Sequence, residues 1–124
     1  MNPEQRMVQE FHDTFGILHE DRPTVPDEET RGLRCRLIQE ELDELRDAFD
    51  QEDLVAAADA IADILYVTYG TAVSCGIDME PVFREVHRSN MTKVGGRRRA
   101  DGKWIKPDHY SPADLSPILK AQDG

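Results

Sequence analysis

Cysteine is scarce in this chain: 124 residues hold two, Cys35 and Cys75. They show no metal-ligand spacing and make no disulfide framework, so reduced thiols in the cytoplasm are the plain reading. No apolar run opens the sequence, and no signal peptide is expected. Long apolar runs are rare as well, since only residues 54–77 have the length to suggest a membrane span. Asp59 and Asp63 inside that run, Glu52 and Asp53 before it, and several Ala, Thr and Gly residues argue against one. Basic side chains are few outside one segment. Residues 1–83 carry 20 acidic and 6 basic groups, while residues 84–106 carry 8 basic and 2 acidic ones. A general nucleic-acid binder is usually basic throughout its domain, so no nucleic-acid partner is expected. An acidic body with one basic segment suits carboxylate-held metal ions beside a cationic clamp for phosphates.

Apolar spacing and capping residues divide the chain into helices. Asn2 caps a first helix with Pro3 at its first position, and Val8, Phe11, Phe15 and Leu18 carry its apolar stripe to about residue 19. A linker containing Pro23 and Pro26 follows. A second helix is expected over 30–50 and a third over 54–75, stopping at Gly76. Asp78 reads as the N-cap of a fourth that runs to about Lys93. Beyond Gly95-Gly96, Asp101-Gly102 suits a hairpin turn, while Pro107, Pro112 and Pro117 suggest an extended tail. The expected fold is all-α: one domain made of a four-helix bundle, residues 1–95, with an irregular basic C-terminal arm, residues 96–124. At this length a partner is expected to bury further surface.

The second helix holds the acidic run QEELDEL, residues 39–45. On a wheel of about 100° per residue with Leu33 at zero, Leu37, Leu45, Ile38, Phe49 and Leu42 sweep from about 40° to about 180°. Glu41 falls inside that arc, and Glu44 and Glu40 lie at its edge. Asp43 and Asp47 fall outside it, where solvated charge belongs. Buried carboxylates without cations or protons are costly, so Glu40, Glu41 and Glu44 are candidate ligands. The alternatives are pairing with Arg34 or Arg36, or a second helix that is simply solvated.

The third helix reads as wholly buried, yet Asp59 and Asp63 sit one turn apart on one face. Five carboxylates with no accompanying His or Cys cluster form a hard oxygen site, suited to Mg²⁺ or Mn²⁺ rather than zinc. Mg²⁺ commonly bridges carboxylates and substrate phosphates, which points to a phosphate compound. In the fourth helix, Arg88, Asn90 and Lys93 offer contacts to a phosphate, or form an ordinary solvated helix end. Arg97, Arg98 and Arg99 with Lys103 and Lys106 either close over a polyphosphate or form a basic loop.

EELDE (40–44), DAIADILYVTYG (59–70), GID (76–78) and VHRSNMTKVG (86–95) together resemble the MazG-like all-α nucleoside triphosphate pyrophosphohydrolases. That superfamily includes dimeric dUTPases and phosphoribosyl-ATP pyrophosphohydrolase. The resemblance implies Mg²⁺-dependent cleavage of a nucleoside triphosphate, dUTP or another non-standard nucleotide, to the monophosphate and pyrophosphate. It implies Glu41, Glu44 and Asp63 as metal ligands, with Glu40 binding metal or orienting water. It further implies substrate contacts from Asn90 and Lys93, and a homodimer or homotetramer. The family's second motif is usually ExxD, with Glu at position 60, where this chain has Ala60. Asp59 is the candidate replacement as a metal ligand. Two alternatives stand beside this reading: a phosphoribosyl-ATP pyrophosphohydrolase-like enzyme, and a non-catalytic helical nucleotide-binding or assembly protein.

Overall fold

The computed structural model describes residues 1–124. Five helices form it, α1 (Pro3–Phe15), α2 (Glu28–Asp50), α3 (Leu54–Ser74), α4 (Met79–Met91) and α5 (Ser116–Asp123). Between α4 and α5 two short strands, β1 (Arg97–Arg98) and β2 (Trp104–Ile105), pair antiparallel. The fold is all-α, with that two-stranded ribbon its one exception. Two compact units make it up, Met1–Met79 and Glu80–Gly124.

In the first unit each helix begins on a side chain that accepts an orphan amide. Asn2 takes the Gln5 N–H at 2.8 Å, Asp27 the Thr30 N–H at 2.8 Å and Asp53 the Ala56 N–H at 3.0 Å. The first helix stops at Phe15, earlier than its stripe suggests. Gly16 adopts φ +68° and the Ile17 N–H returns to the His12 carbonyl at 2.9 Å. The released chain then lies over the end of α3. There Leu18 O accepts from Ser74 Oγ at 3.0 Å, and the Glu20 and Thr24 amides reach the carbonyls of Val73 and Cys75. Gly76, at φ +68°, ends α3, with the Ile77 N–H on Ala72 O.

α3 is central to this unit and packs against both α1 and α2. Small residues line its inner side: Ala57, Ala60, Gly70 and Ala72 are buried with Val73 and Ser74, and Ala48 of α2 is buried too. The expectation of a wholly buried third helix is not met. Leu54 and Val55 are more than four-fifths exposed, and Ile61 and Leu65 are also open. Within its unit α3 packs on α1 and α2, and two helices cover only part of a helix's circumference. On α2, Leu37, Ile38, Leu42 and Leu45 are half-buried, but Leu33 and Phe49, nearer the two ends of the helix, are exposed.

The second unit is held by polar side chains. Ser89 is buried, and its Oγ donates to Ser111 O at 2.8 Å, while Thr92 Oγ1 accepts the Ser111 N–H at 2.8 Å. Trp104 Nε1 donates to Lys93 O at 2.6 Å, tying the ribbon to the end of α4. Gly102, at φ +95°, makes the ribbon's turn. The tail is not extended throughout, as its prolines suggest. α5 forms with Pro117 in its first turn, where a missing N–H costs nothing.

Candidate active site

α2 and α3 meet along most of their length, and one polar anchor fixes how they meet. Arg34 of α2 is 5 % exposed. Its Nη2 donates to the Val67 carbonyl at 2.9 Å and its Nε to Thr71 Oγ1 at 3.3 Å. The guanidinium therefore serves the α3 backbone and is not the partner of the EELDE acids that the sequence allowed. Gly70 leaves room for it, since a Cβ there would lie 2.3 Å from Nη2. His12 of α1 borders the same place. It is buried, its Nδ1 bonds Leu18 O at 3.0 Å, and burial holds its pKa below the ordinary value.

Further along the two helices, Glu41, Glu44 and Asp63 come together. One carboxylate oxygen from each lies within 4.8 Å of the others. No cationic side chain offsets them. Oε2 of Glu41 is buried and has no hydrogen-bond partner. Desolvation, a hydrogen bond shared with Glu44 and the charges of Glu44, Asp63 and Asp59 push the Glu41 carboxyl up to about 7. Asp63 is raised as well, by desolvation first and then by Asp59 and Glu44. Glu40 is exposed and stands outside this group. Asp59 is also exposed and outside it, although its charge acts on both Glu41 and Asp63. Ala60, where the family pattern usually has Glu, is 2 % exposed in the helix packing.

The remaining candidates belong to the second unit. Asn90 is exposed near the end of α4. Lys93 Nζ lies 5.8 Å from the Tyr110 ring centroid and Lys106 Nζ 4.8 Å from it. Arg88 is already engaged: its Nε and Nη2 grip Glu85 at 2.7 and 2.9 Å, and it also reaches Ser111 Oγ. The Arg88 hydrogen bonds, with the Asp114 N–H, hold the Glu85 carboxyl down at about 2. Lys103 is exposed on the ribbon, next to the Arg99–Asp101 pair.

The acid group suits a hard divalent cation. Oxygens on opposite sides of one Mg²⁺ lie about 4.2 Å apart, so oxygens within 4.8 Å need little movement to share an ion. A buried carboxylate oxygen with no donor is the atom such an ion would satisfy. Residues 8–90, about two thirds of the chain, match the family of phosphoribosyl-ATP pyrophosphohydrolase. The chain belongs to this family. The phosphoribosyl-ATP pyrophosphohydrolase family is part of the MazG-like all-α superfamily. The matched span includes all three grouped acids and Asn90, and stops short of Lys93 and the ribbon. An uncharacterized protein of Acanthamoeba polyphaga mimivirus is 38 % identical over 77 residues. That similarity covers 59 % of this chain and 31 % of the viral protein.

Helical phase singled out Glu40, Glu41 and Glu44 on α2, and spacing paired Asp59 with Asp63 on α3; of these five the structure groups Glu41, Glu44 and Asp63. Arg34 as an α2–α3 anchor was not among the expectations, although Gly70 in a largely apolar helix was the available signal. A glycine inside a helix often marks a close approach.

Proposed function

We propose that this protein is a divalent-metal-dependent nucleotide pyrophosphohydrolase that cleaves a nucleoside triphosphate to the monophosphate and pyrophosphate. The observation that carries the reading is the unneutralised group Glu41, Glu44 and Asp63, with one carboxylate oxygen buried and unpartnered. Mg²⁺, or Mn²⁺, held by these three would neutralise the polyphosphate and make its phosphorus more electrophilic. Glu40 is proposed to orient a water molecule or bind metal, and Asp59, whose charge acts on Glu41 and Asp63, to join the ligands. Asn90, Lys93, Arg88 and Lys103 are proposed as nucleotide contacts, with Lys and Arg countering phosphate charge. No protein nucleophile is required.

A deoxynucleotide such as dUTP is the first substrate to test. Phosphoribosyl-ATP is the second reading, favoured by the family that the chain matches. We place the protein in the cytoplasm, where its two free cysteines stay reduced. The uncovered face of α3 is assigned to a second copy of the chain, as a homodimer or homotetramer. By length and composition alone α3 would also pass for a membrane span. Asp63, grouped with Glu41 and Glu44, argues for a protein partner instead.

The test is pyrophosphate release from a panel of nucleotides, including dUTP and phosphoribosyl-ATP, during a Mg²⁺ titration. Turnover should require the metal. Glu41→Gln or Glu44→Gln should abolish it while the helical circular dichroism is retained. Full activity in either variant would sink the assignment of these acids. No turnover with any nucleotide, together with tight nucleotide binding, would favour a non-catalytic nucleotide-binding protein.

A further inference from the structure

Arg34 is an expensive residue to place where it lies. It is 5 % exposed and has no carboxylate partner. If the position only needed filling, an apolar chain of similar length would do so without the desolvation cost of a guanidinium. What Arg34 adds is direction. Its two hydrogen bonds end on two points one turn apart on α3, the Val67 carbonyl and Thr71 Oγ1. Thr71 Oγ1 itself donates to Val67 O at 2.9 Å, so the guanidinium joins an existing local network. Gly70 between them admits the guanidinium close to the helix backbone. Any slide or rotation of α3 on α2 would break both bonds.

This anchor lies in phase with the acid group. Glu41 is seven residues beyond Arg34, two turns along the same face of α2, or about 10 Å. Asp63 is one turn before Val67, about 6 Å along α3. Because Arg34 meets 67–71 while Glu41 meets Asp63, the contact runs antiparallel and both offsets point the same way. We infer that Arg34 is a positioning residue, fixing the register of α3 on α2 so that Asp63 meets Glu41 and Glu44. Its catalytic consequence rests on the metal-dependent reading above, whereas its effect on the acid geometry does not.

Arg34→Met keeps the stem and removes the donors. Its crystal structure should show Asp63 withdrawn from Glu41 and Glu44, beyond the present 4.8 Å. Its kcat should fall about a hundredfold, as expected for a misplacement near 1 Å. KM should move less than about threefold. Calorimetry on the nucleotide-free protein should show weakened Mn²⁺ binding. Arg34→Lys should recover part of each loss, and Thr71→Val should show a smaller loss in the same direction. Gly76→Ala serves as a destabilised control away from the acids: its melting temperature should drop while kcat holds.

An unmoved acid group in Arg34→Met would overturn the inference. So would a kcat loss in Gly76→Ala matching that of Arg34→Met. If Arg34→Met does not fold, Arg34→Lys and Thr71→Val decide, and wild-type kcat and Mn²⁺ affinity in both would overturn it. If the wild type hydrolyses no nucleotide, the functional reading fails, and the acid separation in the variants still decides the role of Arg34.

Discussion

The Glu41 carboxyl holds its proton more tightly than an ordinary glutamate does. It is raised from 4.5 to about 7 in the folded chain, so the folded state binds that proton more tightly than the unfolded one. Its contribution to stability is therefore full below about pH 4.5 and is lost as pH rises through about 7. Thermal melts in EDTA should show a lower melting temperature at pH 8 than at pH 5.5, and Glu41→Gln should flatten that slope. Added Mg²⁺ competes with the proton, so it should restore the wild type at pH 8 and do little at pH 5.5. Metal affinity should accordingly weaken below about pH 7, and a pH-independent affinity would contradict this. Gly70 offers a second test. Alanine gains about 1 kcal/mol of helix propensity. Against that, its Cβ would meet Arg34 Nη2 at 2.3 Å and His12 Nε2 at 2.9 Å, and both neighbours are buried. Overpacking of this kind costs about 1–3 kcal/mol, so we expect Gly70→Ala to be less stable in urea titration.

At the scale of elements, one turn between helices holds backbone strain. Glu52, between α2 and α3, sits at φ +52°, in the left-handed region that disfavours a Cβ by about 1–2 kcal/mol. The Asp53 N–H then closes onto Ala48 O at 2.9 Å, so the strained residue occupies the place that glycine takes at other helix ends. Glu52→Gly should stabilise the protein by about 1 kcal/mol in chemical denaturation. At Gly76 the reverse holds: a Cβ would lie 2.2 Å from the Arg22 carbonyl oxygen, and backbone gives way less readily than a side-chain tip. Such ends were legible in the sequence, because Asn2, Gly76 and Asp101-Gly102 act through bonds within a few residues. The phase that put Glu41 inside an apolar arc was legible for the same reason. Arg34 was not, because its partners lie more than thirty residues away. α5 was missed because Pro117 signals a helix start and an extended tail alike.

At the scale of the molecule, the uncovered side of α3 calls for a partner. Leu54, Ile61 and Leu65 recur at helical spacing and are 83 %, 46 % and 55 % exposed, with Val55 beside them at 81 %. On α2, Leu33 and Phe49 are exposed too. A row this long on an isolated chain is unusual for a soluble monomer and typical of a surface that another subunit buries. The second copy proposed above would cover the apolar side of α3 that α1 and α2 leave open. Light scattering after size exclusion should therefore find a dimer or tetramer. Val55→Glu combined with Leu65→Glu puts charge into the row without touching Glu41, Glu44 or Asp63. We expect that variant to dissociate while its helical circular dichroism persists, because neither side chain is in the single-chain core. A wild type that stays monomeric at tens of micromolar would refute the self-association. An assembly that survives both charges would place its interface on another face.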